Sequence, residues 1–408
     1  MTEHSELSAE SLAYINSTSI EKRKSLGQYM TPRGISDIVL EHLPLKNGDK
    51  VLDPAVGTGE LLSALQRKNA TLELHGWDID PEILEVAKKA HPDIIFKERS
   101  AIDSLDPEIL ASFDIVFANP PYFEMKLNDD QKVEFKEVIS GRVNIFSLFF
   151  QRAIELVKDK GHVAFIVPPS LNAGAFFSSL RQYIMSQSEI AYLEVVRKSS
   201  HFIDAQTSVQ IIILQKTTNP KVNTDYIFTV KTPKAEVNVF SDNTKFLTDS
   251  WVGHQSLYEL GFQAVTGTIP WNQYKDSLSK EKVINSHPLI YSKDITSINT
   301  LELTSKLEDR RYLLTTKNPI EQDVIIVNRI VGSLDSPSLR AAICRGSEMA
   351  FFAENHVNVI QPIPGKAKIS IDELFKRILG NKHLMNYIKA LTGNTQISAN
   401  ELTYLIPF

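Results

Sequence analysis

Phe113-Asp114-Ile115-Val116-Phe117-Ala118-Asn119-Pro120-Pro121-Tyr122 is an apolar run that stops at a polar, proline-stiffened turn. Such a run reads as a strand buried on both faces, the kind found in parallel sheets covered by helices. Loops at the carboxyl ends of these strands face the crevice where open sheets bind their ligands. Two consecutive prolines fix φ and remove two amide donors, which would hold the Asn119 side chain and the neighbouring carbonyls outward as a rigid acceptor cluster. That cluster suits an amino group. The plainer reading is a stiff turn with a packed tyrosine.

Outward from this strand, short β-rich runs alternate with helical stretches. Strands are expected near Val51–Asp53, Leu74–Asp78, Ile94–Phe96, Phe113–Ala118, His162–Val167, Ala191–Val196 and Val209–Leu214. Helices are expected over Glu60–Lys68, Pro81–Ala90, Asn144–Lys158 and Ala173–Ser186. The alternation predicts an α/β class: a doubly wound, mostly parallel, seven-stranded Rossmann-like sheet covered on both faces. Thr217-Thr218-Asn219-Pro220 breaks it, placing a boundary between a first domain, 1–216, and a second, 217–408. The second half is irregular and α+β in character. It has short strands such as Val324–Ile330, two helices around Gly380-Asn381 and an apolar end at Leu402–Phe408.

The composition fits a well-packed globular chain. Its 408 residues are 42% hydrophobic and 23% charged, with 17 Gly and 19 Pro, so there is length for a large core and no low-complexity bulk. The single cysteine, Cys344, can close no disulfide within the chain and build no zinc cluster, so no metal site is expected. No apolar run reaches the length of a membrane helix and Met1–Glu10 lacks a signal-peptide pattern, which predicts a cytoplasmic protein. The net charge of -5 hides an acidic first half and a mildly basic second half, far below the strongly basic signature of a dedicated nucleic-acid module.

Two further strand ends carry chemistry. Asp53-Pro54-Ala55-Val56-Gly57-Thr58-Gly59 joins a strand to a helix, and its glycines permit a tight turn and close approach to a ligand. The third glycine of a dinucleotide fingerprint would fall at Leu62, which disfavours nicotinamide. Gly76-Trp77-Asp78-Ile79-Asp80-Pro81 places an acid at the second strand end, where ribose hydroxyls would be met. Asp80-Pro81 alone also reads as the cap of the next helix.

Taken in order, Leu26-Gly27-Gln28-Tyr29-Met30-Thr31-Pro32, Asp53 to Gly59, Asp78-Ile79-Asp80 and Asn119 to Tyr122 resemble the DNA adenine-specific methyltransferases that use S-adenosylmethionine. The closer resemblance is to the gamma-class, TaqI-like modification enzymes of type II restriction–modification systems. It covers residues 20–215 and extends more loosely over Ile371 to Phe408, like the end of their target recognition domains. It implies that Tyr29 and Thr31 lie over the methionine end of the cofactor, with Asp53 and Ala55 on its amino-acid part and Gly57 and Gly59 in the adjoining turn. Asp78 would hold the ribose and Ile79 would pack on the adenine. Asp103 would contact the adenine amino group, unless a small gap moves that role to Ser100. Asn119 and Pro121 would also border the cofactor.

The same resemblance implies the chemistry. An adenine flipped out of the duplex would be stacked between Tyr122 and Phe202, with the Asn119 side chain and the Pro120 carbonyl accepting its amino hydrogens. Pro121 stiffens the turn. Cys344, in Ile343-Cys344-Arg345, lies far from these motifs, so methylation at cytosine carbon-5, which needs a thiol nucleophile, is not expected. Arg329, Arg340, Arg345, Lys366 and Lys368 are candidates for DNA contact, each balanced against ordinary surface charge. The expected partner is double-stranded DNA, with any cognate restriction endonuclease a separate chain and the enzyme a monomer. Competing readings are methylation of an RNA adenine or a protein glutamine, or a non-catalytic DNA-specificity subunit.

Overall fold

The computed structural model describes residues 7–68, 71–196, 208–303, 310–329, 339–393 and 397–408. Two compact units result, one of Met1–Phe228 with Asn238–Thr244, the other of Thr229–Val237 with Lys245–Phe408. The chain past Lys216 thus first adds to the sheet unit, because Ile227 and Phe240 are buried in its core.

The first unit opens with α1 (Ala9–Ser17), α2 (Ile20–Leu26) and α3 (Arg33–His42). Then come β1 (Lys50–Asp53), α4 (Glu60–Gln66), β2 (Glu73–Asp78), α5 (Pro81–Ala90), β3 (Ile95–Glu98), β4 (Phe113–Ala118), α6 (Asp129–Glu134) and α7 (Ile145–Leu156). It continues through β5 (Val157–Val167), α8 (Ser178–Gln187), β6 (Ser188–Val196) and β7 (Val209–Lys216). The seven strands lie in the order β3-β2-β1-β4-β5-β7-β6. All pair in parallel except β7, which is antiparallel to both β5 and β6.

Burial explains the runs. Val51 and Phe117 face one core cluster while Leu52, Val116 and Ala118 face the other, so both faces of the central strands are apolar. Asp80 caps α5 by accepting the Glu82 N–H, Pro81 occupies its first turn, and Ile83, Leu84 and Ala87 form its buried stripe. Asn144 caps α7, which is sealed on nearly every side by Phe146, Leu148, Phe149 and Phe150. Two expected boundaries move: β5 starts at Val157, so α7 stops two residues early, and α8 starts only at Ser178, after a short 3₁₀ turn.

Next come β8 (Ile227–Lys231) and β9 (Glu236–Phe240), which pair with each other, and α9 (Thr244–Asp249). The second unit then holds β10 (Phe262–Thr266), β11 (Leu278–Ser279), β12 (His287–Ile290), β13 (Tyr312–Leu313), β14 (Asp323–Asn328), β15 (Ala341–Arg345), β16 (Phe352–Ala353) and β17 (Val357–Pro362). Its closing helices are α10 (Ile371–Gly380), α11 (Leu384–Thr392) and α12 (Ala399–Tyr404). One sheet runs β10-β17-β14-β15 and is antiparallel, the other β11-β13-β12-β16. Cys344 is buried in the first sheet's core with Val324, Ile326 and Val359. The apolar end packs inward, with Tyr387 donating to the Leu405 carbonyl at 2.8 Å. Among the described residues no helix is long and apolar enough to cross a membrane.

Candidate active site

One cavity lies at the carboxyl ends of β1, β2 and β4, where parallel sheets place their ligands. Its first wall is the turn from β1 into α4. Asp53 ends β1 with 1% of its surface exposed, and Oδ1 accepts the Ala55 N–H at 3.0 Å. Among the described residues no cation pairs with it. Burial therefore pushes its pKa up to about 8, against the Ala55 hydrogen bond and with a further rise from the charge of Asp78. A buried carboxylate without a cation is a ready site for a ligand ammonium group.

The second wall comes from β2. Asp78 accepts the Gly57 N–H at 2.9 Å and the Asp80 N–H at 3.0 Å, and burial raises its pKa as well. These bonds fix the carboxylate at the rim with lone pairs left for hydroxyl donors. Ile79 beside it is apolar yet 56% exposed and lines the cavity, as a surface awaiting a flat ring would. Asp80 does not line it. It caps α5, and is held by Gln28, Tyr14 and Lys22 instead.

The floor follows β3 and β4. Ser100, Ala101 and Ile102 line the cavity, whereas Asp103 is exposed and does not. The ungapped count to Asp103 is corrected by the short turn after β3, which brings the residues three positions earlier to the wall. Asn119 also lines the cavity; its Nδ2 donates to the Tyr29 carbonyl at 3.1 Å and to Thr31 Oγ1 at 2.9 Å. Pro121 lines it too, and Pro120 is buried behind.

Two expectations need adjustment. The Asn119 side-chain carbonyl does not stand free, because the Tyr122 hydroxyl lies against Oδ1 and also faces the Ile166 carbonyl at 2.7 Å, the two oxygens sharing its one proton. Tyr122 lies within the wall, its ring parallel to Tyr29 to within 16° at a centroid distance of 6.1 Å, and burial keeps its phenol protonated. Gly59 lies outside the lining. Its φ of +92° starts α4, and a Cβ there would meet His91 at 2.7 Å, so this glycine serves packing.

The segment Leu26–Thr31 closes the cavity from above. Gly27 adopts φ +64°, and a Cβ at this position would lie 2.6 Å from the Pro121 Cβ, so only glycine lets the segment settle on the Asn-Pro-Pro turn. Contacts that no local pattern announced hold the walls. Ser11 and Thr58 share a hydroxyl hydrogen bond at 2.6 Å, Ser8 donates to Glu60 through both backbone and side chain, and Tyr14 donates to Gln28 at 3.0 Å. Ile145 and Phe149, one turn apart on the all-apolar α7, line the cavity. Nothing distinguishes them in the sequence from their buried neighbours.

Phe202 falls outside the described residues. In the second unit, Arg345 bonds to Asp323 at 2.9 Å and to Asp372 at 2.6 Å, so its charge is already compensated within the unit. Arg340 donates to the Ile295 carbonyl at 3.1 Å and Arg329 reaches the Asn355 carbonyl at 3.5 Å. Lys366 and Lys368 are exposed. Cys344 is buried and its thiol pushed up to about 12, away from nucleophilic use. Among the described residues no group of His, Cys, Asp and Glu could hold a metal ion.

A seven-stranded sheet of this order, with its cavity bordered by an unpaired acid, a second acid and an Asn-Pro-Pro-Tyr turn, defines a methyltransferase dependent on S-adenosylmethionine. Residues 13–258 match the N-6 DNA methylase family, and the chain belongs to that family. It is accordingly an adenine-N6 DNA methyltransferase of the restriction–modification type. It is 23% identical to the type II methyltransferase M.BsuBI of Bacillus subtilis, over 94% of this chain and 87% of that one. It is 22% identical over the same shares to the type II methyltransferase M.PstI of Providencia stuartii. The solved structure of the type IIG restriction endonuclease BpuSI aligns with 98% of this chain and 60% of its own at 12% identity and a TM-score of 0.43.

Proposed function

We propose that the protein is a site-specific methyltransferase of the gamma class. In this reading it modifies a flipped-out adenine in double-stranded DNA and so protects that DNA from a cognate endonuclease carried on another chain. The observation that carries the reading is that Asn119 borders the same cavity as Asp53 and Asp78, at the end of the neighbouring strand. An acceptor for an amino group thus sits beside a site suited to a cofactor that carries an ammonium and a ribose.

S-adenosylmethionine supplies, when bound, an electrophilic methyl group on a positively charged sulfur. Asp53 would take its ammonium, Asp78 its ribose hydroxyls, Ile79 its adenine face, and Ala55, Gly57, Tyr29 and Thr31 the space between. Ser100 is better placed than Asp103 for the adenine edge. The residues around Asn119 act on the other reactant. Asn119 Oδ1 and the Pro120 carbonyl accept the two amino hydrogens, which draws the nitrogen lone pair out of conjugation with the ring. They interact more strongly with the nitrogen as it becomes tetrahedral and positive, so they stabilise the transition state more than the ground state. The leaving proton passes to water, and no general base is needed.

The hydrogen bond from Tyr122 adds a step. An incoming adenine must take Asn119 Oδ1 from the Tyr122 hydroxyl, and the freed ring can then stack on the base, with Phe202 as the expected opposite face. The second unit is proposed to bind the target sequence as part of a monomer, with Arg329, Arg340, Lys366 and Lys368 as candidate contacts. The test is incubation with methyl-labelled S-adenosylmethionine and genomic DNA, followed by nucleoside analysis, alongside Asn119→Ala. N6-methyladenine in DNA that vanishes in the variant supports the reading. Label on RNA or protein would replace the substrate class, and no transfer to any acceptor would favour a specificity subunit.

A further inference from the structure

The second unit gathers in one place cations that have no carboxylate partner among the described residues. Trp271 and Tyr274 pack against a small core of Ile269, Leu289, Leu313 and Phe352, which fixes both rings. Over them stand three cations. The Arg310 guanidinium is centred 4.1 Å from the Trp271 ring, Lys275 Nζ is 5.6 Å from the same ring, and Lys317 Nζ is 5.3 Å from the Tyr274 ring. Lys317 also donates to the Thr268 carbonyl at 3.2 Å. None of the three has a carboxylate within 4.0 Å among the described residues.

Several other cations of the unit are compensated by carboxylates. Arg311 is tied to Asp294 at 2.9 Å, Arg345 to two aspartates and Arg377 to Glu373 at 3.3 Å. In residues 268–280 and 310–320 the single acid is Asp276, which forms no ion pair with the three cations. The rings hold the cations by attraction between charge and π-face, which uses none of their N–H groups as donors to a carboxylate. Such preorganised, uncompensated cations suit a partner that presents closely spaced negative charges along a rigid line.

We propose that Lys275, Arg310 and Lys317, backed by Trp271 and Tyr274, grip the phosphate backbone of duplex DNA. The inference rests on the reading of DNA as substrate and adds a contact surface to it. Phosphate is favoured over base edges because two of the three are lysines, point charges with little directional preference. The contact supplies affinity common to all sequences.

The test is duplex binding by the full chain across a salt series, with Lys275, Arg310 and Lys317 all changed to Gln. Each phosphate contact contributes about 0.9 to the slope of log affinity against log salt, so the triple variant should lose about 2.7 from the slope. Between 50 and 200 mM salt the wild type should then lose roughly 40-fold more affinity than the variant. The loss should be equal on specific and random duplexes, while cofactor binding and the melting temperature stay unchanged. If the triple variant does not fold, Lys275→Gln and Lys317→Gln singly, both at exposed positions, should each lower the slope by about 0.9. Lys376→Gln with Lys382→Gln, on exposed positions elsewhere in the unit, should leave the slope alone. An unchanged slope in a triple variant whose wild type methylates DNA overturns this inference and spares the substrate reading. A wild type that neither binds nor methylates DNA overturns both.

Discussion

Asp53 offers the sharpest quantitative expectation. Its pKa is raised from the ordinary 3.8 to about 8 chiefly by burial, so the folded protein without ligand holds the proton more tightly than the unfolded chain does. The contribution of this group to stability therefore falls as pH rises from about 4 toward 8 and is level above that. Ligand binding has the opposite sign. An ammonium needs the ionised carboxylate, and a group with a pKa of about 8 is about 90% protonated at pH 7, so binding of S-adenosylhomocysteine should release about 0.9 proton there. Affinity should climb nearly tenfold from about pH 6 to pH 7, level off near pH 8, and fall above it as the ligand amino group loses its own proton. Titration calorimetry in buffers of different ionisation enthalpy reads the proton count directly. Asp53→Asn should weaken binding by roughly 10- to 100-fold, the range for losing a hydrogen bond to a charged group, and remove the proton release. The ligand's own amino group titrates near pH 8 in both proteins and is subtracted by the comparison. No proton release in the wild type, or equal release in Asp53→Asn, would refute the pairing of Asp53 with the ligand ammonium.

Four further expectations concern other parts of the chain. Asn119→Ala should lower kcat by roughly 10²- to 10³-fold in single-turnover methylation, because the acceptor acts mainly in the transition state. Tyr122→Phe keeps the ring and releases Asn119 Oδ1, so it should retain activity, whereas Tyr122→Ala should raise the DNA KM by roughly 5- to 150-fold for one lost stacking face. Gly27→Ala should cost about 1–3 kcal/mol in denaturant unfolding through its left-handed backbone, and should raise the cofactor KM by moving the segment off Pro121. Arg345→Met, with Asp323 and Asp372 retained, should lower the melting temperature yet leave the salt slope of DNA binding unchanged; a fall in slope would reinstate it as a DNA contact.

Much of the site was legible because its parts lie at strand ends. Asp53, Asp78 and Asn119 each follow an apolar run, and a parallel sheet necessarily brings such ends to one edge. The choice between Asp103 and Ser100 stayed open in the sequence because counting along the chain cannot see how tightly the turn after β3 folds back; only Ser100 lines the cavity. The Asn119 side chain was read as a free outward acceptor because the sequence does not say that the Tyr122 hydroxyl reaches it. The N-terminal clasp through Ser8, Ser11 and Tyr14 gave no signal, since each serine looks like any other helix hydroxyl until Thr58 or Glu60 stands opposite.

The second unit shows the same division more plainly. Arg345 looked like any free cation in the sequence, and Asp323 and Asp372, 22 and 27 residues away, decide that it is not. Lys275, Arg310 and Lys317 carried no motif and meet only because β13 brings residues near 310 beside the loop at Trp271. What the sequence determined by itself was periodic or local: the buried strands, the helix cap at Asp80, the stiff Asn-Pro-Pro turn and the absence of a usable thiol. Hydrophobic period and backbone restriction act over a few residues and can be read in order. What only the tertiary structure decided was pairing: the direction of β7, the partner of each charge, and the burial that lifts the pKa of Asp53. These depend on distance and solvent exclusion between residues far apart in the chain.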